Sequence, residues 1–295
     1  MIELRTADGT ASAVVSPVGA AVRRLEVGGR ALVEPTVDAE PAPGLAGAVL
    51  APWPNRVEEG RWWLDGEEQR LAPTETRTGH ANHGLLVGRV FAVTARSDDE
   101  LELAASIDPA PGYPFALAVR VAYRVHAAGL DAEIAVRNRG PERAPVAVGI
   151  HPYLRLGDRQ AGDLELEADA AYAYHLDATQ IPRHRFAVGG TAWDLRDGRP
   201  VSAVPRHVTL EHEAGARPAR VLRSTAGDAV AVWADEAFRW TQLYVVDGFP
   251  ADDGPRTAVA VEPMTAPPNA LRTGTGLHWL DPDEEWLLHW GIRAS

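Results

Sequence analysis

The sequence predicts an all-β protein, a large antiparallel β-sandwich, and two observations carry that expectation. Short apolar runs alternate with a period of two, the spacing that puts every second side chain on one face of a strand. Between them lie turn formers, with 27 glycines and 23 prolines spread evenly through 295 residues. Sustained helical periodicity is missing, and a stretch such as 164–174 fits neither period cleanly. Sandwiches and barrels of this length commonly form one domain, so residues 1–295 are expected to be a single unit.

The elements follow from the same alternation. A first strand is predicted at 20–27 and another at 101–107. Over 117–125, Leu117, Val119, Val121, Tyr123 and Val125 share one face, and Ala118, Arg120, Ala122 and Arg124 the other. A turn containing Gly129 leads into 130–136, where Leu130, Ala132, Ile134 and Val136 share a face, so the two runs predict a hairpin. Further strands are predicted at 146–150, 229–233, 242–246 and 257–261.

Composition excludes several classes of function. All 29 cationic residues are arginine, and 41 Asp and Glu leave a net charge of −12. Such a chain lacks the positive charge that binds nucleic acid or an anionic membrane without sequence specificity. With no cysteine, disulfides, thiolate zinc sites, iron–sulfur clusters and thiol nucleophiles are excluded. The segment 1–10 has no basic and apolar signal pattern, and no run reaches the roughly 18 apolar residues of a membrane helix. A soluble, cytoplasmic protein is expected.

Two segments share a pattern that bears on chemistry. Ala147-Val148-Gly149-Ile150-His151-Pro152 and Ala258-Val259-Ala260-Val261-Glu262-Pro263 each put β-branched residues on one face. On the other face two small residues precede one ionisable group. His151 and Glu262 are therefore expected at strand ends, each rising at the rim of a low surface suited to a concave ligand site. Solvated strand-end side chains would give the same pattern.

Three more segments offer binding groups. In Ala51-Pro52-Trp53-Pro54-Asn55-Arg56, two prolines frame an aromatic ring, followed by an amide and a guanidinium suited to hydroxyl oxygens. Trp53 could be a platform for a sugar face or a buried loop anchor. His80 and His83 bracket Ala81-Asn82, but no third ligand stands at a recognisable spacing, and no metal is assigned. Asn82, His83 and Gly84 instead read as hydrogen-bonding groups on a loop. The remaining histidines, His207 among them, read as surface or packing residues. No nucleotide-binding glycine fingerprint or serine nucleophile elbow occurs.

Taken in order, these segments resemble the aldose 1-epimerase (mutarotase) family. The matching pieces are residues 51–56, Gly60 to Gly66, Asn82-His83-Gly84, Gly149-Ile150-His151-Pro152-Tyr153 and Val261-Glu262-Pro263-Met264-Thr265. Pro267 to Ala270, Gly276-Leu277 and Trp290-Gly291-Ile292 continue the match, so it covers nearly the whole chain. The resemblance implies a galactose mutarotase-like β-supersandwich, no cofactor, and a monomer or homodimer that interconverts the α and β anomers of a free aldose. It implies Glu262 as general base and His151 as general acid, placed at opposite sides of a pyranose. Arg56, with Asn55 beside it, and His83 match sugar-binding positions. Asp235, ahead of Gln242-Leu243-Tyr244, is the best match to an acidic sugar ligand.

Departures from the family pattern are Leu85 in place of a second glycine, Glu-Ala-Phe-Arg-Trp after Asp235, and the segment 247–256. They bear on sugar specificity rather than on the reaction. Competing expectations are a phosphosugar 1-epimerase, which would need several convergent arginines, and a glycosidase using Glu262 and Asp235 as a carboxylate pair. A catalytically silent carbohydrate-binding domain is the third.

Overall fold

The computed structural model describes residues 1–36, 40–218, 220–251 and 254–295. Two large sheets dominate the described residues, and every pairing between their strands is antiparallel. The first runs in the order Ala92–Arg96, Glu100–Ile107, Leu117–His126, Gly129–Asn138, Glu285–Ala294, Ala229–Ala234, Arg220–Arg223, Glu165–Ala168 and Leu195–Pro200. The second runs Pro182–Ala187, Tyr172–Leu176, His207–Glu211, Trp240–Phe249, Arg256–Met264, Gly149–Ile150 and Val49–Leu50; Tyr153–Leu154 also pairs with Arg256–Met264. A four-stranded sheet of Ile2–Arg5, Ala11–Ser16, Ala21–Val27 and Arg30–Ala31 stands beside them.

Alternation explains the packing. In the predicted hairpin Val121 stands opposite Ile134, and the faces bearing Val119, Val121, Ile134 and Val136 are buried. From the second sheet, Val208, Leu210, Leu243, Val245, Val259 and Val261 enter the same apolar cluster. Two sheets thus share one core, as sandwiches do, and each fully buried aliphatic side chain contributes about 1.5–3 kcal/mol. Two of the large aromatic rings satisfy their polar atoms inside it. Tyr123 donates its hydroxyl to the Ala20 carbonyl at 2.6 Å and Trp62 its indole N–H to the Gly112 carbonyl at 2.7 Å.

The other face of the second sheet carries His207, Gln242, Tyr244, Ala258, Ala260 and Glu262. It turns away from that core and is roofed by loops. Two expectations are corrected here. The run 146–150 is not one strand: Ala144–Val146 pairs with His278–Leu280, and Gly149–Ile150 pairs with Val49–Leu50 and with the Glu262 strand. Between them the Ala147 N–H bonds the Pro52 carbonyl at 2.8 Å. Nor does the Glu262 strand end at Pro263; it continues to Met264. Val261 and Thr265 donate to the Pro152 and Val148 carbonyls at 3.0 and 2.8 Å. By alternation the donor that Pro263 lacks falls between those bonds, where the partner segment breaks from the ladder.

Candidate active site

On that outer face, Glu262 and His151 meet because of strand register. Gly149 pairs with Met264 and Tyr153 with Ala260, so the interrupted segment between them sets His151 opposite Glu262. His151 Nε2 lies 3.4 Å from Glu262 Oε1, with both residues almost wholly buried. They line a pocket of about 240 Å³ together with Asn55, Arg56, Asn82, His83, Tyr153, His207, Gln242 and Tyr244. That is below the roughly 300–1,000 Å³ of drug-sized sites and suits a single-ring ligand. The imidazole and the carboxylate stand side by side in the pocket, not across it from one another as the resemblance implies.

The small residues before His151 and Glu262 do not form the pocket floor. A Cβ on Gly149 would lie 2.7 Å from Pro54 Cβ and 3.3 Å from Met264 Cγ, so glycine there lets the 51–56 loop close down. Ala258 and Ala260 pack with Tyr153 and Phe249 in a second apolar cluster. Tyr153 then stacks on the His151 imidazole with ring centroids 5.3 Å apart and planes at 20°, which limits how the imidazole can turn.

Two non-glycine residues with left-handed backbones, Asn55 and His83, hold the loops together (φ 56° and 63°). Residues of this kind cluster where a function constrains the backbone. The His83 N–H donates to the Asn55 carbonyl at 3.0 Å, and the Asn55 N–H donates to His83 Nδ1 at 3.2 Å. With Nδ1 accepting, the neutral imidazole carries its proton on Nε2 and can donate it to a ligand. His83 and His151 meet edge to face with centroids 5.3 Å apart. Arg56 donates from Nε and Nη2 to Glu75 at 2.9 and 2.7 Å.

Burial sets the protonation of the site. It pushes Glu262 up to about 8, against the pull of the Arg56 charge, and pushes His151 down to about 4. His83 is held well below the usual imidazole range by burial first, then by His151 and Arg56. Desolvation thus favours neutral forms throughout. An ionised Glu262 beside a protonated His151 carries the same single proton as a neutral glutamic acid beside a neutral imidazole. In the resting pocket burial favours the second arrangement. Such a pair, poised to exchange one proton, suits general acid–base chemistry.

The structure brings Glu262, His151, Arg56, Asn55 and His83 into one pocket and leaves Asp235 out of it. Asp235 follows Ala229–Ala234 in the other large sheet, and its carboxylate accepts the Ala237 and His289 N–H groups at 3.0 and 2.7 Å. It closes a turn there, so the glycosidase expectation loses its second carboxylate. Among the described residues Arg56 is the only arginine lining the pocket, which removes the convergent arginines a phosphosugar site needs. Trp53 is a buried anchor, packed 6.0 Å from Tyr113. His80 and His83 do not converge: His80 Nδ1 accepts from the Glu59 N–H at 2.9 Å.

Tyr153, His207, Gln242 and Tyr244 were not expected in the site. Tyr244 faces His207 across neighbouring strands, with the rings stacked at 4.4 Å. Gln242 pairs with Glu262 in register and accepts the Thr209 hydroxyl at 2.6 Å. The period-two pattern already put Gln242 and Tyr244 on one strand face. What sequence lacks is the pairing of that strand with the one bearing Glu262.

Comparison with known proteins agrees with this architecture. The family profile described as aldose 1-epimerase matches residues 1–293. The uncharacterized protein YihR of Escherichia coli (strain K12) is 30% identical over 290 residues, spanning 98% of this chain and 92% of that one. Galactose mutarotase of Sus scrofa is 31% identical over 157 residues, 51% of this chain and 45% of its own. Among solved structures, the GalM/aldose epimerase homologue from C. elegans superposes with a TM-score of 0.84 at 18% identity, covering 100% of this chain and 98% of that one. Galactose 1-epimerase from Lactobacillus acidophilus NCFM gives 0.80 at 18% identity, over 98% and 92%. With the profile matched over nearly its full length, this chain belongs to the aldose 1-epimerase family of isomerases.

Proposed function

We propose that the pocket interconverts the α and β anomers of a free aldose by general acid–base ring opening and closing. The observation that carries this reading is the buried His151–Glu262 pair, 3.4 Å apart. The anomeric oxygen and the ring oxygen of a pyranose share one carbon, C1, so an acid and a base serving both must stand side by side.

The reaction needs two proton transfers. Glu262, as carboxylate, takes the proton of the anomeric hydroxyl while protonated His151 gives one to the ring oxygen. The C1–ring-oxygen bond breaks, C1 becomes an aldehyde, and the pair is left as neutral glutamic acid and neutral imidazole. After rotation about C1–C2, the acid returns its proton to the aldehyde oxygen, the imidazole takes back the proton on the ring hydroxyl, and the ring closes on the other face. The neutral pair favoured by burial is thus the state in which the site holds the open-chain sugar, and desolvation supports that intermediate. Positioned proton transfers of this kind each give about 10²–10⁴-fold.

Arg56, Asn82 and the Nε2–H of His83 donate to ring and hydroxyl oxygens. Gln242, His207 and Tyr244 recognise the opposite edge of the sugar, where a carboxylate at Asp235 was expected. Both proton transfers fall to Glu262 and His151, so the proposed reaction calls on no cofactor. NMR exchange between anomers, measured over a panel of free aldoses, tests the reading. Acceleration of at least one sugar is the expected result, and none for any sugar that demonstrably binds would leave a carbohydrate-binding domain instead.

A further inference from the structure

Glu75 lies just outside the pocket, yet three of its contacts reach residues of the pocket's wall. Its carboxylate accepts Arg56 Nε at 2.9 Å and Nη2 at 2.7 Å, a bidentate pair that fixes the plane of the guanidinium. It also accepts the Thr78 hydroxyl at 3.1 Å and the Asn82 side-chain amide at 3.3 Å. Arg56 and Glu75 are each mostly shielded from solvent. We propose that Glu75 is a positioning residue for this site: it holds Arg56 and the 74–83 loop in one geometry and attenuates the positive charge felt by Glu262. The inference rests on the catalytic reading above for its kinetic consequence, but its electrostatic consequence stands without it.

The surroundings make that charge matter. Glu262 faces His151 across the interrupted ladder, Tyr153 from the next segment, and Arg56 from the roofing loop. Arg56 draws Glu262 toward ionisation and disfavours the protonated forms of His83 and His207. On its own side Glu75 faces His80, which in turn feels Glu58 and Asp177. Burial resists ionisation of Glu75, and the hydrogen bonds and charge of Arg56, with Thr78, outweigh it. Glu75 is therefore an anion bound to the cation nearest the general base. Removing its charge leaves Arg56 unopposed and favours the carboxylate form of Glu262.

The test is a carbon-13 NMR titration of glutamate carboxyls in the ligand-free protein, with Glu262 assigned through Glu262→Gln. In Glu75→Gln and Glu75→Ala the Glu262 midpoint should fall by about half a unit or more, the scale of losing one screened charge. In Glu75→Asp, which keeps the charge, it should stay in place. In kinetics the alkaline limb of Glu75→Gln should move the same way, and KM should rise roughly 3–10-fold with kcat little changed, as for the loss of a mostly shielded bidentate pair. A midpoint that stays put or rises in folded Glu75→Gln would overturn the inference. If the wild-type protein accelerates no anomer exchange, the catalytic reading fails and the titration still decides the role of Glu75.

Discussion

Glu262 and His151 occupy opposing register positions on two neighbouring segments, in the gap between the Gly149–Met264 and Tyr153–Ala260 pairs. Gly149 and Tyr153 keep the pairing on either side, while the His151 N–H turns to the Ala48 carbonyl at 3.1 Å. A carboxylate and an imidazole that would otherwise flank a backbone ladder are instead turned toward each other, 3.4 Å apart and out of water. The site's proton chemistry follows from that arrangement.

Activity should depend on pH through the pair as a unit. With Glu262 raised to about 8 and His151 lowered to about 4, the pair holds one proton between those values. Below about 4 it holds two and no base remains; above about 8 it holds none and no acid remains. A plot of kcat/KM against pH should be bell-shaped, with a broad top and limbs near these values. A limb centred near 6.5, the ordinary imidazole value, would mean that His151 is not desolvated.

The same shifts should be visible in stability. The folded-state value of Glu262 lies above the ordinary carboxylate value of 4.5. Its contribution to stability is therefore fully present below about 4.5 and is lost as pH rises toward 8. Gln at position 262 cannot titrate and escapes that loss. The melting temperature of Glu262→Gln relative to wild type should climb between pH 5.5 and pH 8, by an amount on the order of 1–3 kcal/mol or a few degrees. A difference that does not change with pH would contradict the burial of an ionisable Glu262.

His83 should stay neutral with its proton on Nε2. The Asn55 N–H fixes Nδ1 as the acceptor, and burial, with His151 and Arg56 beside it, keeps the ring well below its ordinary value. Long-range proton–nitrogen NMR should report the Nε2–H tautomer and no titration of this ring between pH 5.5 and 8. A ring that titrates near 6.5 would place His83 in water.

Gly84 should be intolerant of a side chain. Its backbone is left-handed (φ 75°), and a Cβ would lie 2.2 Å from the Ala51 carbonyl oxygen. Through that contact the His83 loop rests on the segment leading to Asn55 and Arg56. Gly84→Ala should cost about 2–3 kcal/mol or more, and the displaced His83 should raise KM. Unchanged melting and KM would show the loops to be independent.

Much of this was readable in the sequence, for physical reasons. The alternation at 117–125 and 130–136 reports which residues face a core, and the hairpin formed as expected. The pattern before His151 and Glu262 marked the two residues that meet, though the small residues serve loop and aromatic packing rather than a concave floor. What periodicity cannot report is which strands become neighbours. His207 and Tyr244, 37 residues apart, stack only because their strands pair, and Asp235, close to Gln242 in sequence, lies in a turn after a strand of the other large sheet. Pro263 reads as a strand end until register shows its missing donor falling in a gap.

The most direct test is the rate of anomer exchange at pH 7 for the best aldose, measured by NMR in wild type and in Glu262→Gln, with sugar binding followed in the same samples. The account predicts that binding survives within a few-fold while exchange falls about 10²–10⁴-fold toward the rate in buffer. Exchange at the wild-type rate in Glu262→Gln would contradict it.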